Sequence, residues 1–240
     1  NLNPALYARI KSLYDNRESI GLNTEDAWLL ERYYKDLIHA GAHLSESERD
    51  RLKELNEELS KLETQFSKNV LADTNDLAVL VDTIEELDGL SENEIASAAA
   101  AAKDRGHEGK WLIGMVNFSG NPVLDSLTNR ALRKKIMQDS LLKGNRANEN
   151  DNKPVILKVV KLRAERAKLF GKNTHAEHVI AVQTAEHPDN VHAMLRKIAP
   201  AAVRNAGAEA QDLKKSAGTE IESWDWGFYT EQVRLEKYNI

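Results

Sequence analysis

Apolar side chains recur along most of this chain at alternating steps of three and four, the spacing that lines one face of an α-helix. Asn3 and Pro4 supply an N-cap and a first helical position, and Leu6, Ile10, Leu13 and Tyr14 follow at helical spacing until Gly21. A second stripe, Ala27, Leu30, Tyr34 and Leu37, comes after Thr24 and the acidic pair Glu25 and Asp26, and closes at Gly41. Carboxylates in a first turn suit the positive end of the helix dipole. Ser45 and Glu48 form a capping box ahead of a long helix carrying Leu52, Leu55, Leu59, Leu62 and Phe66. That seam covers about two to three heptads where a coiled coil needs about three to four, so it predicts a long hairpin arm packed inside one domain.

Two stretches leave the helical period. Residues 76–81 and 111–116 are short apolar runs between turn formers and predict a small hairpin or ribbon. Between them, Leu90, Ser91, Glu94 and Ile95 combine a capping box with a hydrophobic staple, and the Ala-rich run 96–102 is a good helix interior. Asn121 and Pro122 open a further predicted helix through Leu124, Leu127, Ala131 and Ile136, closing near Gly144. The polar run 145–152 is a loop and marks the boundary between a region 1–145 and a region 151–240. Pro154 begins a helix with Val155, Val159, Leu162 and Leu169, stopped by Gly171. Two more helices follow, and Pro200 is expected to kink or break the second. The predicted class is mainly α with one small β element.

Composition narrows the function. At 240 residues, 41% hydrophobic and 30% charged, the chain is expected to be soluble and can bury a substantial core in one large or two small domains. A net charge of −5 with both signs interspersed argues against a nucleic-acid partner, which needs clustered Lys and Arg. With no Cys, there can be no disulfide, Cys-ligated zinc, iron–sulfur cluster or thiol catalysis. That absence fits a reducing compartment, and the expected location is the cytoplasm. No apolar run approaches the roughly 18–20 residues that span a bilayer, so no membrane partner is expected. The chain opens without Met, and its aromatic-rich last stretch, 223–240, carries no helix-stop signal. An internal piece of a larger protein is therefore expected.

Candidate metal ligands fail on spacing. His175, Glu177, His178, His187 and His192 lie close in sequence, but a zinc site needs three or four ligands converging at about 2 Å, and helical ligand pairs sit four apart. His175 and His178 are three apart, one residue short of the inverted zinc motif. Thr174 and Glu177 read as a capping box instead, and His187 precedes Pro188 at a helix start. The string His107-Glu108-Gly109-Lys110-Trp111 begins like a zincin motif but has Trp where the second His must stand. There is no Glu-x-x-His pair, phosphate-binding loop or nucleophile elbow. No catalytic or metal residue is assigned to this chain.

Seven stretches, in order, carry a resemblance. They are Leu59-x-x-Leu62-x-x-x-Phe66-x-x-Asn69-Val70-Leu71, Leu87-Asp88-Gly89-Leu90, Asn129-Arg130-Ala131-Leu132-Arg133, the helix end at 162–171, the pair His187-Pro188-Asp189-Asn190-Val191 and Ile198-Ala199-Pro200-Ala201-Ala202, and Trp224-Asp225-Trp226 with Tyr229, Arg234, Lys237 and Tyr238. Together, over residues 28–240, they resemble the thimet-oligopeptidase family of zinc metallopeptidases, and the last is most similar to its peptidyl-dipeptidase branch. The resemblance implies an almost wholly helical fold of two lobes facing across a deep cleft, with zinc held by a His-Glu-x-x-His helix and a later Glu. It further implies cleavage of short, unstructured peptides, with release of C-terminal dipeptides.

This chain has neither that motif nor the later Glu, which the family places further along than Ile240. By the resemblance, zinc belongs to the parent protein, the catalytic half is a missing partner, and the chain by itself is expected to be inactive and prone to self-association through uncovered surfaces. Trp224, Trp226 and Tyr229 are candidates to line the substrate cleft; alternatively these rings anchor the core, with Asp225 as an N-cap. Two other readings stay open: a stand-alone helical peptide-binding module, and an unrelated helical protein that pairs through the leucine seam.

Overall fold

The computed structural model describes residues 3–115 and 121–238; Asn1, Leu2, Val116, Asn239 and Ile240, which entered the sequence reading, lie outside the described residues. The chain divides into one unit of residues 1–64 with 155–196 and another of residues 65–154 with 197–240.

The first unit is held by caps and rings. Helix α1 (Pro4–Asp15) starts where the Asn3 side-chain oxygen accepts from the N–H groups of Ala5 at 3.0 Å and Leu6 at 3.2 Å. Helix α2 (Thr24–Ala40) is capped by Asn23 and ends on Gly41, whose φ of 94° suits a residue without Cβ. Tyr14 stacks on Tyr34 with ring centres 4.0 Å apart, joining the two helices. Helix α3 (Glu46–Asp76) opens with the expected box: Ser45 N–H donates to Glu48 Oε2 at 2.9 Å. Leu52, Leu55 and Leu59 are buried, so the first part of the seam is core; Leu62 is half-buried and Phe66 exposed. Facing them is α6 (Lys153–Leu169), tied to α3 by Arg51–Glu165 at 2.7 Å, Arg166–Asn56 at 3.0 Å and Arg163–Glu63 at 2.9 Å. Short α7 (His175–Ile180) follows.

In the second unit, β1 (Val79–Val81) pairs antiparallel with β2 (Trp111–Ile113), Val79 opposite Ile113. Helix α4 (Glu92–Asp104) intervenes between the strands, so the β element is a ribbon rather than a tight hairpin. The Ser91–Glu94 box starts α4 as expected. Val79, Val81, Leu87, Ala98, Ile113, Met115, Leu127, Leu132 and Ile136 form the core. Each fully buried Leu or Ile among them contributes about 1.5–3 kcal/mol. Gly89, at φ 92°, lets the turn after Leu87 dock: a Cβ there would stand 2.1 Å from the Ser126 carbonyl oxygen.

Two sequence expectations need correction. The helix expected from Asn121 to Gly144 is split into a 3-10 turn at Pro122–Asp125 and helix α5 (Arg130–Ser140), because Leu127 is drawn wholly into the core and Asn129 caps a fresh start through Leu132 N–H at 3.1 Å. Pro200 does not break helix α8 (Pro188–Ala217). Residues 192–209 are nearly all exposed, so water can serve the carbonyl four residues before the proline.

Polarity and compactness divide the chain differently at 145–152. The loop lies within the second unit, where its polar side chains find partners on α3. Buried Asp73 accepts from Gly144 N–H at 2.7 Å, Arg146 at 2.9 Å and Asn150 at 3.2 Å, and Asn69 donates to Asn152 at 2.9 Å. Among the described residues, nine α-helices and one two-stranded sheet make the fold mainly α, and no helix is long and apolar enough to cross a membrane.

Candidate functional site

The aromatic stretch near the C-terminus is organised by one carboxylate. Arg130 and Arg133 are three apart on α5, so they share a face. Both reach Asp225, which lies fully buried in a 3-10 turn at Ser223–Asp225 just ahead of helix α9 (Trp226–Tyr238). Arg130 donates to Asp225 Oδ2 at 2.6 Å from Nη2 and at 3.0 Å from Nε; Arg133 Nη2 donates to Oδ1 at 2.8 Å. Buried Arg133 also donates to the carbonyls of Leu127 at 2.8 Å, Thr128 at 3.0 Å and Trp224 at 3.3 Å. Burial pushes the Asp225 carboxyl up, but the hydrogen bonds from Arg130 and Arg133 prevail and hold it at about 2. Asp225 was expected to cap the following helix; instead its carboxylate reaches back to Glu222 N–H at 3.0 Å and sideways to the arginines.

The rings disperse around this node. The Arg133 guanidinium lies 4.3 Å from the centre of Phe228, and Lys134 Nζ lies 5.0 Å from the centre of Trp224. Tyr229 meets Phe228 edge-on at 5.2 Å. Trp224 and Tyr229 are half-buried in these contacts. Trp226, 38% exposed, lines a groove between α8 and α9 with Leu213, Thr230, Val233 and Tyr238. This cavity of about 360 Å³ is in the lower range for ligand sites, and its rim is charged, Lys237 pairing with Asp212 at 2.6 Å. Of the three cleft candidates, only Trp226 lines this groove. The arginine pair that fixes the segment was missed in the sequence; Arg130-x-x-Arg133, in a helix whose Leu132 and Ile136 are core residues, was its one local trace.

The candidate ligands His175, Glu177, His178, His187 and His192 do not form a metal-binding group among the described residues. His178 is buried against His39, while His187 Nδ1 accepts from Asp189 N–H at 3.2 Å and helps start α8. Glu177 Oε2 accepts from Asn173 N–H at 3.0 Å, one residue before the cap position expected for a box, and Thr174 accepts from Glu177 N–H at 3.1 Å. Among the described residues, no three His, Asp or Glu side chains are grouped to hold a metal ion. The described side chains therefore do not fit a zinc site.

The described residues define a mainly helical scaffold. Residues 123–240 match Peptidase family M3. Over its full length the chain is 36% identical to the dipeptidyl carboxypeptidase of Escherichia coli (strain K12) and 35% identical to that of Salmonella typhimurium (strain LT2), covering 36% of each. It is 31% identical to oligopeptidase A of Haemophilus influenzae, with 98% of this chain and 36% of the relative covered. The chain belongs to this thimet-oligopeptidase family of metallopeptidases. It spans 36% of the length of these curated relatives.

Proposed function

We propose that this chain forms a non-catalytic helical part of a zinc-dependent peptidase that hydrolyses short oligopeptides and releases C-terminal dipeptides in the cytoplasm. One observation carries the reading: 36% identity to a dipeptidyl carboxypeptidase, sustained over the whole 240-residue chain. The scaffold's own chemistry fits a structural part, because two arginines hold a buried carboxylate and so order an aromatic segment. Short peptides are the proposed ligands of the protein that carries this sequence. Trp226, in the α8–α9 groove, is the residue of the chain best placed to meet them.

The test is to capture from source cells, with an antibody against the 240-residue chain, the polypeptide that carries it. Dipeptide release from N-blocked tetrapeptides is then measured with and without a zinc chelator. The expected result is chelator-sensitive release by the captured polypeptide and none by the pure 240-residue chain. Cleavage only at internal bonds of longer peptides would replace dipeptide release with oligopeptidase action, and an inert captured polypeptide would overturn the reading.

A further inference from the structure

Three of the seven histidines meet in the first unit, where the end of α2 approaches α6 and α7. His39 is in the last turn of α2, His43 follows Gly41, and His178 is on α7. The rings of His39 and His178 stack with centres 4.4 Å apart and planes 11° apart. Phe170, just past α6, closes on His178 at 4.3 Å, on His43 at 5.9 Å and on His39 at 6.5 Å. His178 is only 7% exposed. Two parallel imidazoles at this separation pack well when neutral and repel when both are charged.

The charged surroundings give an added proton no home. From α2, Asp36 acts on His39, but its carboxylate is already paired with Arg32 at 3.0 Å. From α6, Arg166 acts on both stacked rings, and Arg163 and Arg166 act on His175. His175 on α7 and Lys172 before it act on His178. From α3, Glu63 is paired with Arg163 at 2.9 Å. The Nε–H groups of Arg163 and Arg166 are buried without a hydrogen-bond partner, so the corner already holds donors that lack an acceptor. The end of the α2 dipole would on its own favour a cation at His39; desolvation and the neighbouring cations oppose it.

We propose that this corner is an acid-labile latch, in which protonation of the His39–His178 stack releases α7 from α2 while the α3–α6 pairing stays closed. Burial, then the neighbouring His39 and Arg166, bring the His178 imidazole down from the ordinary 6.5 to about 4, and burial lowers His39 as well. The open form therefore binds protons more readily than the closed form between these two values. The latch is at full strength above about pH 6.5 and is lost as the pH falls toward 4.

Hydrogen exchange of the 240-residue chain at about pH 7 and about pH 4.5, corrected for intrinsic rates, tests this. Segments 35–43 and 172–182 should lose protection by roughly fiftyfold at the lower pH, and segment 46–63 should keep it. The variant His178→Phe keeps a stacking ring and removes the more strongly depressed of the two titrations, so it should lose far less protection at the lower pH than the unaltered chain. Equal protection of the unaltered chain at both pH values would overturn the proposal, as would opening of His178→Phe like the unaltered chain. Should His178→Phe fail to fold, ring-proton titration of the unaltered chain decides: His39 and His178 both titrating near 6.5 sinks the latch, and depressed titration with parallel loss of protection supports it.

Discussion

The Asp225 node and the histidine corner are both buried clusters of ionisable side chains, and they answer the same physical problem in opposite ways. At Asp225 desolvation disfavours the charged carboxylate, yet two guanidinium groups at 2.6 and 2.8 Å keep it ionised down to about pH 2. At His178 desolvation disfavours the charged imidazole and every neighbour that acts on it is basic, so the ring stays neutral down to about pH 4. Burial penalises charge in both; the sign of the neighbours decides whether the charge survives. The first arrangement tethers a segment across the ordinary pH range, and the second holds only while protons are scarce.

Breaking the node should have the largest effect. Asp225→Ala leaves Arg133 buried without its counter-ion and should cost about 3–5 kcal/mol in urea unfolding. A loss below about 1 kcal/mol would mean that the arginines find other partners. Leu55→Ala, deep in the α3 core, should cost about 2–5 kcal/mol, while charged residues at Leu55 and Leu59 together should unfold the chain. A folded monomer from that double change would revive the reading in which the seam pairs with another protein.

The two clusters should also separate along the pH axis. The Asp225 contribution is complete above about pH 4 and falls as the pH drops toward 2, because the folded carboxyl sits below its ordinary 3.8. The histidine contribution, about 3 kcal/mol at most, falls already between about pH 6.5 and 4. His178→Phe should remove the higher limb of an unfolding-versus-pH curve and leave the lower one; loss of both limbs would show that the clusters are coupled. Gly89→Ala should cost about 1–3 kcal/mol by thermal unfolding, since its Cβ meets backbone at a left-handed φ. Lys237→Ala, an exposed partner of Asp212, should change stability by about 1 kcal/mol or less.

What could be read in advance follows the range of the interaction. Asn3, Ser45 with Glu48, Ser91 with Glu94 and the glycine after α2 act within four residues, and the structure places each where its local chemistry predicts. The helix expected from Asn121 is interrupted although its periodicity is real, because Leu127 is wholly buried between the two pieces and Asn129 caps a fresh start. The loop at 145–152 looked like a boundary because its residues are polar, and polarity does not reveal that Asp73, more than seventy residues earlier, will hydrogen-bond Arg146 and Asn150. At the candidate site the aromatic cluster was legible and its dispersal was not. Arg130 and Asp225 are 95 residues apart, and no local pattern encodes such a pairing.

By itself, then, the sequence determined the mainly helical class, most helix starts and the membership of a peptidase family, all of which rest on short-range periodicity or on order along the chain. Only the tertiary structure decided that Asp225 is clamped by two arginines, that Trp226 alone of the three candidate rings lines the α8–α9 groove, and that His39 and His178 stack. Those outcomes depend on desolvation, and how much water a group loses is settled only when distant parts of the chain close over it.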